Sequence, residues 1–174
     1  MTNYRRNRVP GGTYFFTVAI ADRRCDLLAR HAEHFKAVFR EEQQRAFFIN
    51  LALALLPDHL HAVWQLPEGD SDYSSRWRRI KAGFTRLFPS GERVSSSRAA
   101  RGERGIWQRR FWEHTIQDQD DLQRHLDYVH WNPVKHGLVS QVVDWPHSTF
   151  HAYVERGIYP ADWGGRDIGG DFGE

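Results

Sequence analysis

The chain has 174 residues, a net charge of +2 and one cysteine, Cys25. That length builds one domain of ordinary size and is too short for an eight-stranded α/β barrel, which excludes the barrel hydrolases that also carry His-x-His on a strand. A lone cysteine forms no internal bridge, the N-terminal TNYRRNRVPGG is charged without an apolar h-region, and the apolar run 46-AFFINLALALL-56 falls short of the roughly 20 residues a membrane span needs, so the sequence predicts a soluble protein of the reducing cytoplasm.

Residues 13–20, TYFFTVAI, are β-branched and aromatic after a Gly-Gly turn and read as a strand. Residues 31–47 carry Phe35, Val38, Phe39 and Ala46 at helical spacing and read as an amphipathic helix. Residues 48–56 and 59–66 follow as two strands joined by Pro57-Asp58, an antiparallel pair. On the second of these, alternation puts His59, His61 and Val63 on one face and Leu60, Ala62 and Trp64 on the other. Two neutral imidazoles side by side on a rigid face are two thirds of a small metal site. Taken alone, the same pair also fits plain polar surface.

A helix is predicted over 72–88, with Trp77, Ile80, Phe84 and Leu87 on one face and basic residues on the other. Residues 89–105, rich in Ser, Gly and Arg, read as a mobile loop, and 106–116, IWQRRFWEHTI, as the last strand. The order β-α-β-β-α-β gives an α+β fold, a ferredoxin-like split β-α-β with a central antiparallel sheet. The next helix, 119–131, has an apolar stripe of Leu122, Leu126 and Val129, with Tyr128 and Asn132 at i and i+4. Pro133 disfavours helical geometry at Asn132, so the helix is expected to end there and leave the Asn side chain free to turn towards a ligand. A capping Asn and a core Tyr would read the same way. The domain is expected over 1–160, with an acidic, Gly-rich tail over 161–174.

The charge is uneven. From Arg76 to Arg110, eleven basic residues face two acidic ones, a local net of +9, and 21 of the 24 basic residues in the chain are Arg. Arg pairs with phosphate through a planar fork and stacks on bases, so nucleic acid is the natural partner. The candidate contacts are Arg76, Arg78, Arg79, Lys81 and Arg86 on the basic helix, Trp107 with Arg109 and Arg110 after the loop, and Arg5, Arg6 and Arg8 as an N-terminal arm.

His59-Leu60-His61, Tyr128 on a later helix and 128-YVHWNPVKHGLV-139 together resemble the single-tyrosine (Y1) transposases of the HUH superfamily, the insertion-sequence transposases and their REP-associated relatives. The opening 4-YRRNRVPGGTYFFTV-18, the block 107-WQRRFWEHTI-116 and the closing 158-IYPADWG-164 are similar to the REP-associated branch, so that nearly the whole chain is covered. Trp131 before the Asn, and Lys135-His136 where relatives often have Arg-Ala, are departures that bear on contacts near the site.

The resemblance implies the HUH nuclease fold with further C-terminal helices, and a Mg²⁺ or Mn²⁺ ion held by His59, His61 and Asn132. It also implies a nucleophilic Tyr128 that forms a 5′-phosphotyrosine on single-stranded DNA and leaves a 3′-hydroxyl. The linkage conserves phosphodiester energy, so rejoining needs no nucleotide cofactor. A phenol of pKa about 10 needs a nearby charge or the metal to react at neutral pH. His125 and His130 are candidate helpers, while Glu113 and His114 carry no assigned role. The implied substrate is a REP-type hairpin and the setting the cytoplasm at the bacterial nucleoid; monomer and homodimer both stay open, the REP-associated branch favouring the monomer over the dimer of many insertion-sequence relatives. Two other classes remain open: a hairpin-binding module whose catalytic set is idle, and a Zn²⁺ hydrolase of small molecules, which the basic surface disfavours.

Overall fold

Seven residues of strand β1, Thr13–Ala19, bury six of their side chains, and Phe15 and Phe16 leave it in opposite directions. A strand buried on both sides needs a layer on each face, and the fold supplies them. The computed structural model describes residues 6–164. Within them β1 is followed by one helical turn, α1 (Leu27–Arg30), then α2 (Ala32–Arg45), β2 (Ile49–Leu55), β3 (His59–Gln65), α3 (Tyr73–Thr85), a second one-turn helix α4 (Ser96–Ala99), β4 (Trp112–Thr115), α5 (Gln119–Lys135), a 3-10 turn at Val142–Asp144 and α6 (Phe150–Glu155). The sheet runs in the order β2-β3-β1-β4 with every neighbour antiparallel. This is the split β-α-β arrangement expected from the sequence, extended by C-terminal helices.

One face of the sheet carries Phe16, Leu60, Ala62 and Trp64 against α2 and α3, where Trp64 stacks on Trp77 at 4.2 Å. The other carries Phe15, Ala52, Ala54 and Val63 against Leu126, Tyr128 and Val129 of α5. The alternation predicted for β3 thus holds, and both histidines lie on the α5 face. Each fully buried apolar side chain of this size contributes roughly 1.5–3 kcal/mol, so the two layers fix the sheet from both sides. A third cluster, Val142, Phe150 and Tyr159, joins α6 to the far side of α5.

Three expectations need correction. The predicted strand over 106–116 is regular only from Trp112, because Ile20 pairs with Trp107 while Thr17 pairs with Trp112, and the mismatch in spacing loops the arginines out of the ladder. The expected loop before it contains α4, N-capped by Ser95 and tied down by the Arg104–Glu92 ion pair. The helix of Tyr128 does not stop at Asn132. It runs through Pro133 to Lys135, and its stop is Gly137 at φ +66°, where Gly137 N donates to Val134 O and Leu138 N to Pro133 O. That paired bonding satisfies the last carbonyls, and a left-handed residue is the signal that ends the helix. Proline merely removes one internal hydrogen bond.

Candidate active site

The registers of β3 with its neighbours set the two histidines. His61 lies opposite Thr17 on β1, and its Nδ1 is 2.9 Å from Thr17 Oγ1. His59 Nδ1 lies 2.8 Å from Asp58 Oδ1, and Asp58 is itself held by Arg23 Nε at 2.5 Å. Each ring is thereby oriented through Nδ1, and both Nε2 atoms are buried. The rings lie 5.0 Å apart. His59 Nε2 is buried and takes no hydrogen bond from the described residues. Burial pulls the His59 pKa below the usual imidazole value despite the opposing carboxylate of Asp58, so the ring is in the neutral form a cation requires.

Helix α5 supplies the facing groups. Its N-terminus is capped by Asp118, which accepts from Asp121 N at 2.8 Å, and its apolar stripe seats it on Phe15, Ala52 and Val63. Tyr128 is 1% exposed, with its ring 5.2 Å from that of His61 and 5.9 Å from Phe15. One turn on, Asn132 is fully buried. One turn further, His136 brings its ring to 5.0 Å from His59. Asn132 is thus bracketed on one helical stripe by two residues that touch the histidine pair. Because the helix continues past Pro133, Lys135 also returns to this stripe at i+7 from Tyr128. Its Nζ donates to Tyr128 Oη at 3.0 Å and lies 4.8 Å from the ring centre.

Two imidazole nitrogens and one amide oxygen fit a divalent cation that keeps open positions for phosphate oxygens. A second set of donors, His114, Asp121 and His125, has its ligand atoms within 4.8 Å of one another. There the Asp121 carboxylate already receives His114 Nε2 at 2.7 Å, Gln117 N at 2.9 Å and Arg124 Nη2 at 3.2 Å, and His125 Nδ1 is spent on the Asp121 carbonyl at 2.8 Å. Burial raises the Asp121 pKa, but the bonds from His114 and Gln117 outweigh it and hold the group below the usual carboxylate range. This set works as a clasp of β4 onto α5, with the His114 and His125 rings stacked at 4.6 Å. His130, the other proposed helper, is fully buried away from the site, 2.9 Å from Thr149 Oγ1.

The proposed DNA contacts divide sharply. Arg8, Arg78, Arg86 and Arg110 are exposed, and Lys81 and Arg109 line a cleft beside α3. Arg76 is not on the basic face: 4% exposed, it donates to Asp70 and to the carbonyls of Ala46, Phe47 and Asp72. Arg79 is consumed by a bidentate pair with the buried Glu42, and Arg6 by Glu113 at 2.5 Å. Trp107, at 5% exposure, is a core residue whose Nε1 donates to Lys81 O, not a platform for bases. Arg5 lies outside the described residues. Sequence reasoning missed Asp58 and Thr17, and it flagged Lys135 as a departure near the site without a role. Asp58 adjoins His59 and Lys135 sits at i+7 from Tyr128, so both had a local signal, whereas Thr17 depends on the β1–β3 register.

The chain is similar to known proteins in both sequence and structure. A REP-associated tyrosine transposase of Escherichia coli K12 is 48% identical over 166 residues, covering 95% of this chain and 92% of the relative. A Haemophilus influenzae protein assigned to the same group is 46% identical over 166 residues, covering 95% of this chain and 94% of its own. The solved structure of a REP-associated tyrosine transposase bound to a REP hairpin superposes with a TM-score of 0.87 at 44% identity, covering 100% of this chain and 98% of that one. No family model matches the chain.

Proposed function

The chain belongs to the REP-associated tyrosine transposases, and from that premise we propose that it cuts and rejoins single-stranded DNA at REP-type hairpins, with Tyr128 as nucleophile and His59, His61 and Asn132 holding a Mg²⁺ or Mn²⁺ ion. The observation that carries this reading is the apposition of the Tyr128 ring, at 5.2 Å, to a histidine pair whose rings are each anchored through Nδ1. When bound, the ion supplies Lewis acidity and a template for the scissile phosphate.

Tyr128 Oη attacks phosphorus. The Tyr O–P bond forms, the P–O3′ bond breaks, and the departing oxygen takes up a proton as a free 3′-hydroxyl. Lys135, 3.0 Å from the phenol oxygen, stabilises the negative charge that gathers there as the proton leaves. Asp58 and Thr17 act through the histidines by holding their orientation. Reversal by a 3′-hydroxyl regenerates Tyr128 and joins the strands. The exposed Arg8, Arg78, Arg86 and Arg110 hold the phosphates of the hairpin, which brings the protein to the nucleoid in the bacterial cytoplasm.

The test incubates labelled hairpin oligonucleotides with wild type and Tyr128→Phe, with each metal, and resolves the products on a denaturing gel. A metal-dependent covalent adduct in wild type and none in the variant is the expected result. Retarded but uncut DNA under either metal would make the chain a hairpin-binding module, and cutting by Tyr128→Phe would remove the nucleophile from its role.

A further inference from the structure

Three of the 24 basic residues are lysines: Lys36, Lys81 and Lys135. Lys36 pairs with Glu33 at 2.8 Å, and Lys135 meets the Tyr128 phenol. Lys81 stands instead among arginines. It lines a cleft of about 650 Å³ between α3 and the segment running from Arg98 to Phe111, on the face of the sheet opposite Tyr128, in company with six arginines and one carboxylate, Glu103. Arginine stays protonated at any physiological pH, whereas a lysine ammonium held in a recess gives up its proton readily and becomes a nucleophile. Lys81 therefore differs from its neighbours in chemistry as well as in shape.

The charges around it are poorly offset. Arg109 pairs with Glu103, Arg104 with Glu92 and Arg6 with Glu113. Lys81 Nζ donates to Gln108 O at 2.6 Å, and Arg98 donates to the carbonyls of Arg104 and Trp107, acceptors that carry no charge. Arg78 and Arg86 are exposed and form no ion pair with any of the described residues. Burial, then Arg98 and Arg6, lower the Lys81 pKa from 10.5 to about 8. At neutral pH that leaves about one such amine in ten uncharged, against roughly one in a few thousand for an ordinary lysine. The same surplus of positive charge attracts a compact dianion. Arg78 stands at i−3 from Lys81 on α3, so a phosphate held by its fork lies beside the amine.

We propose that Lys81 is a modification site, acylated without an enzyme by small acyl phosphates that the arginines of the cleft draw in. Nζ attacks the carbonyl carbon of the donor. The C–N bond forms and the bond between that carbon and the phosphate oxygen breaks. Phosphate departs with the electron pair and takes up the proton that the new amide nitrogen releases. Arg78 and Arg86 hold the phosphate and stabilise the charge it gains as it leaves. The product is a neutral amide, so acylation subtracts one positive charge from this face. The site lies across the sheet from Tyr128 and is independent of the strand-cutting chemistry.

The experiment incubates the full chain with acetyl phosphate at neutral pH and follows each lysine by mass spectrometry after tryptic digestion. Acetylation blocks cleavage at Lys81, so the modified protein yields 80-IKAGFTR-86 where the free lysine yields 82-AGFTR-86. p-Nitrophenyl acetate, an acyl donor without phosphate, is run alongside. Lys81 is expected to react with acetyl phosphate at least about tenfold faster than Lys36 or Lys135. Inorganic phosphate is expected to slow that reaction where chloride at equal ionic strength does not. Arg78→Gln/Arg86→Gln, two changes at exposed positions, is expected to lose most of the preference with acetyl phosphate and to keep its reactivity towards p-nitrophenyl acetate, which also reports that the cleft is intact. Acetylation of Lys81 no faster than that of Lys36 would overturn the proposal. So would a fast reaction that inorganic phosphate leaves unchanged in the wild type, since the arginines would then recruit nothing.

Discussion

Replacing Lys135 by Met removes the ammonium and keeps most of the stem. Lys135 Nζ donates to Tyr128 Oη at 3.0 Å, and as the phenol loses its proton this bond becomes one between opposite charges. Hydrogen bonds to charged groups are worth about 1.5–3 kcal/mol, and because Lys135 is exposed, solvent screening holds the gain to about 1.5 kcal/mol. At 1.36 kcal/mol per decade, Lys135→Met cuts strand cleavage about tenfold. The assay is single-turnover formation of the covalent adduct, with hairpin Kd measured separately. With Lys135 acting on the nucleophile, the rate is expected to fall while Kd stays within about twofold, and Lys135→Arg to recover part of the rate. The deficit narrows as pH rises, since phenols ionise unaided near pH 10. An unchanged rate, or a loss carried wholly by Kd, would refute the assignment.

Four further outcomes follow from the same contacts. Asp58→Ala frees the His59 ring and weakens Mn²⁺ binding, measured by calorimetry, by roughly 10–100-fold, whereas unchanged affinity would detach His59 from the metal. Arg79→Ala leaves Glu42 buried without its cation and costs about 2 kcal/mol after allowance for the 31% exposure of Arg79, a fall of roughly 4–8 °C in Tm, with DNA affinity unaltered; Arg78→Glu leaves Tm alone and flattens the salt dependence of DNA binding, and the reverse pattern would contradict the division of the two arginines. Pro133→Ala restores a helical hydrogen bond and stabilises by about 1 kcal/mol in urea denaturation, where a helix ending at Asn132 would give no change. Burial holds the His130 pKa down at about 3 against an ordinary 6.5, so the unfolded chain takes up a proton that the native ring refuses. The stability due to a neutral His130 is therefore complete above pH 6.5 and is lost as pH falls from there towards 3, and His130→Gln removes that part of the acid slope in urea midpoints; equal slopes in both proteins would contradict it.

The elements came through in the sequence because their signals are local. Alternation on β3 put His59 and His61 on one face, and the i, i+4 spacing put Tyr128 beside Asn132. Pro133 misled because a preceding-residue preference was read as a stop, whereas Gly137 at C′ was the stronger signal. That error hid the role of Lys135, which reaches Tyr128 only if the helix continues. Arg76 and Arg79 were read as DNA contacts because charge is visible in a sequence and its partners are not: Asp70 is near in the chain, but Glu42 is on another helix. The Thr17–His61 bond and the cleft beside α3 depend on registers and packing between distant segments, which no local pattern encodes.

The most direct test of the account is the mass of one peptide. Trypsin cutting after Arg124 and Lys135 releases 125-HLDYVHWNPVK-135, which carries Tyr128. After reaction with a hairpin oligonucleotide and Mn²⁺, then nuclease digestion, fragmentation is expected to show a nucleotide joined through its 5′-phosphate to Tyr128. Cleaved DNA with this peptide unmodified, or a nucleotide on any other residue, would contradict it.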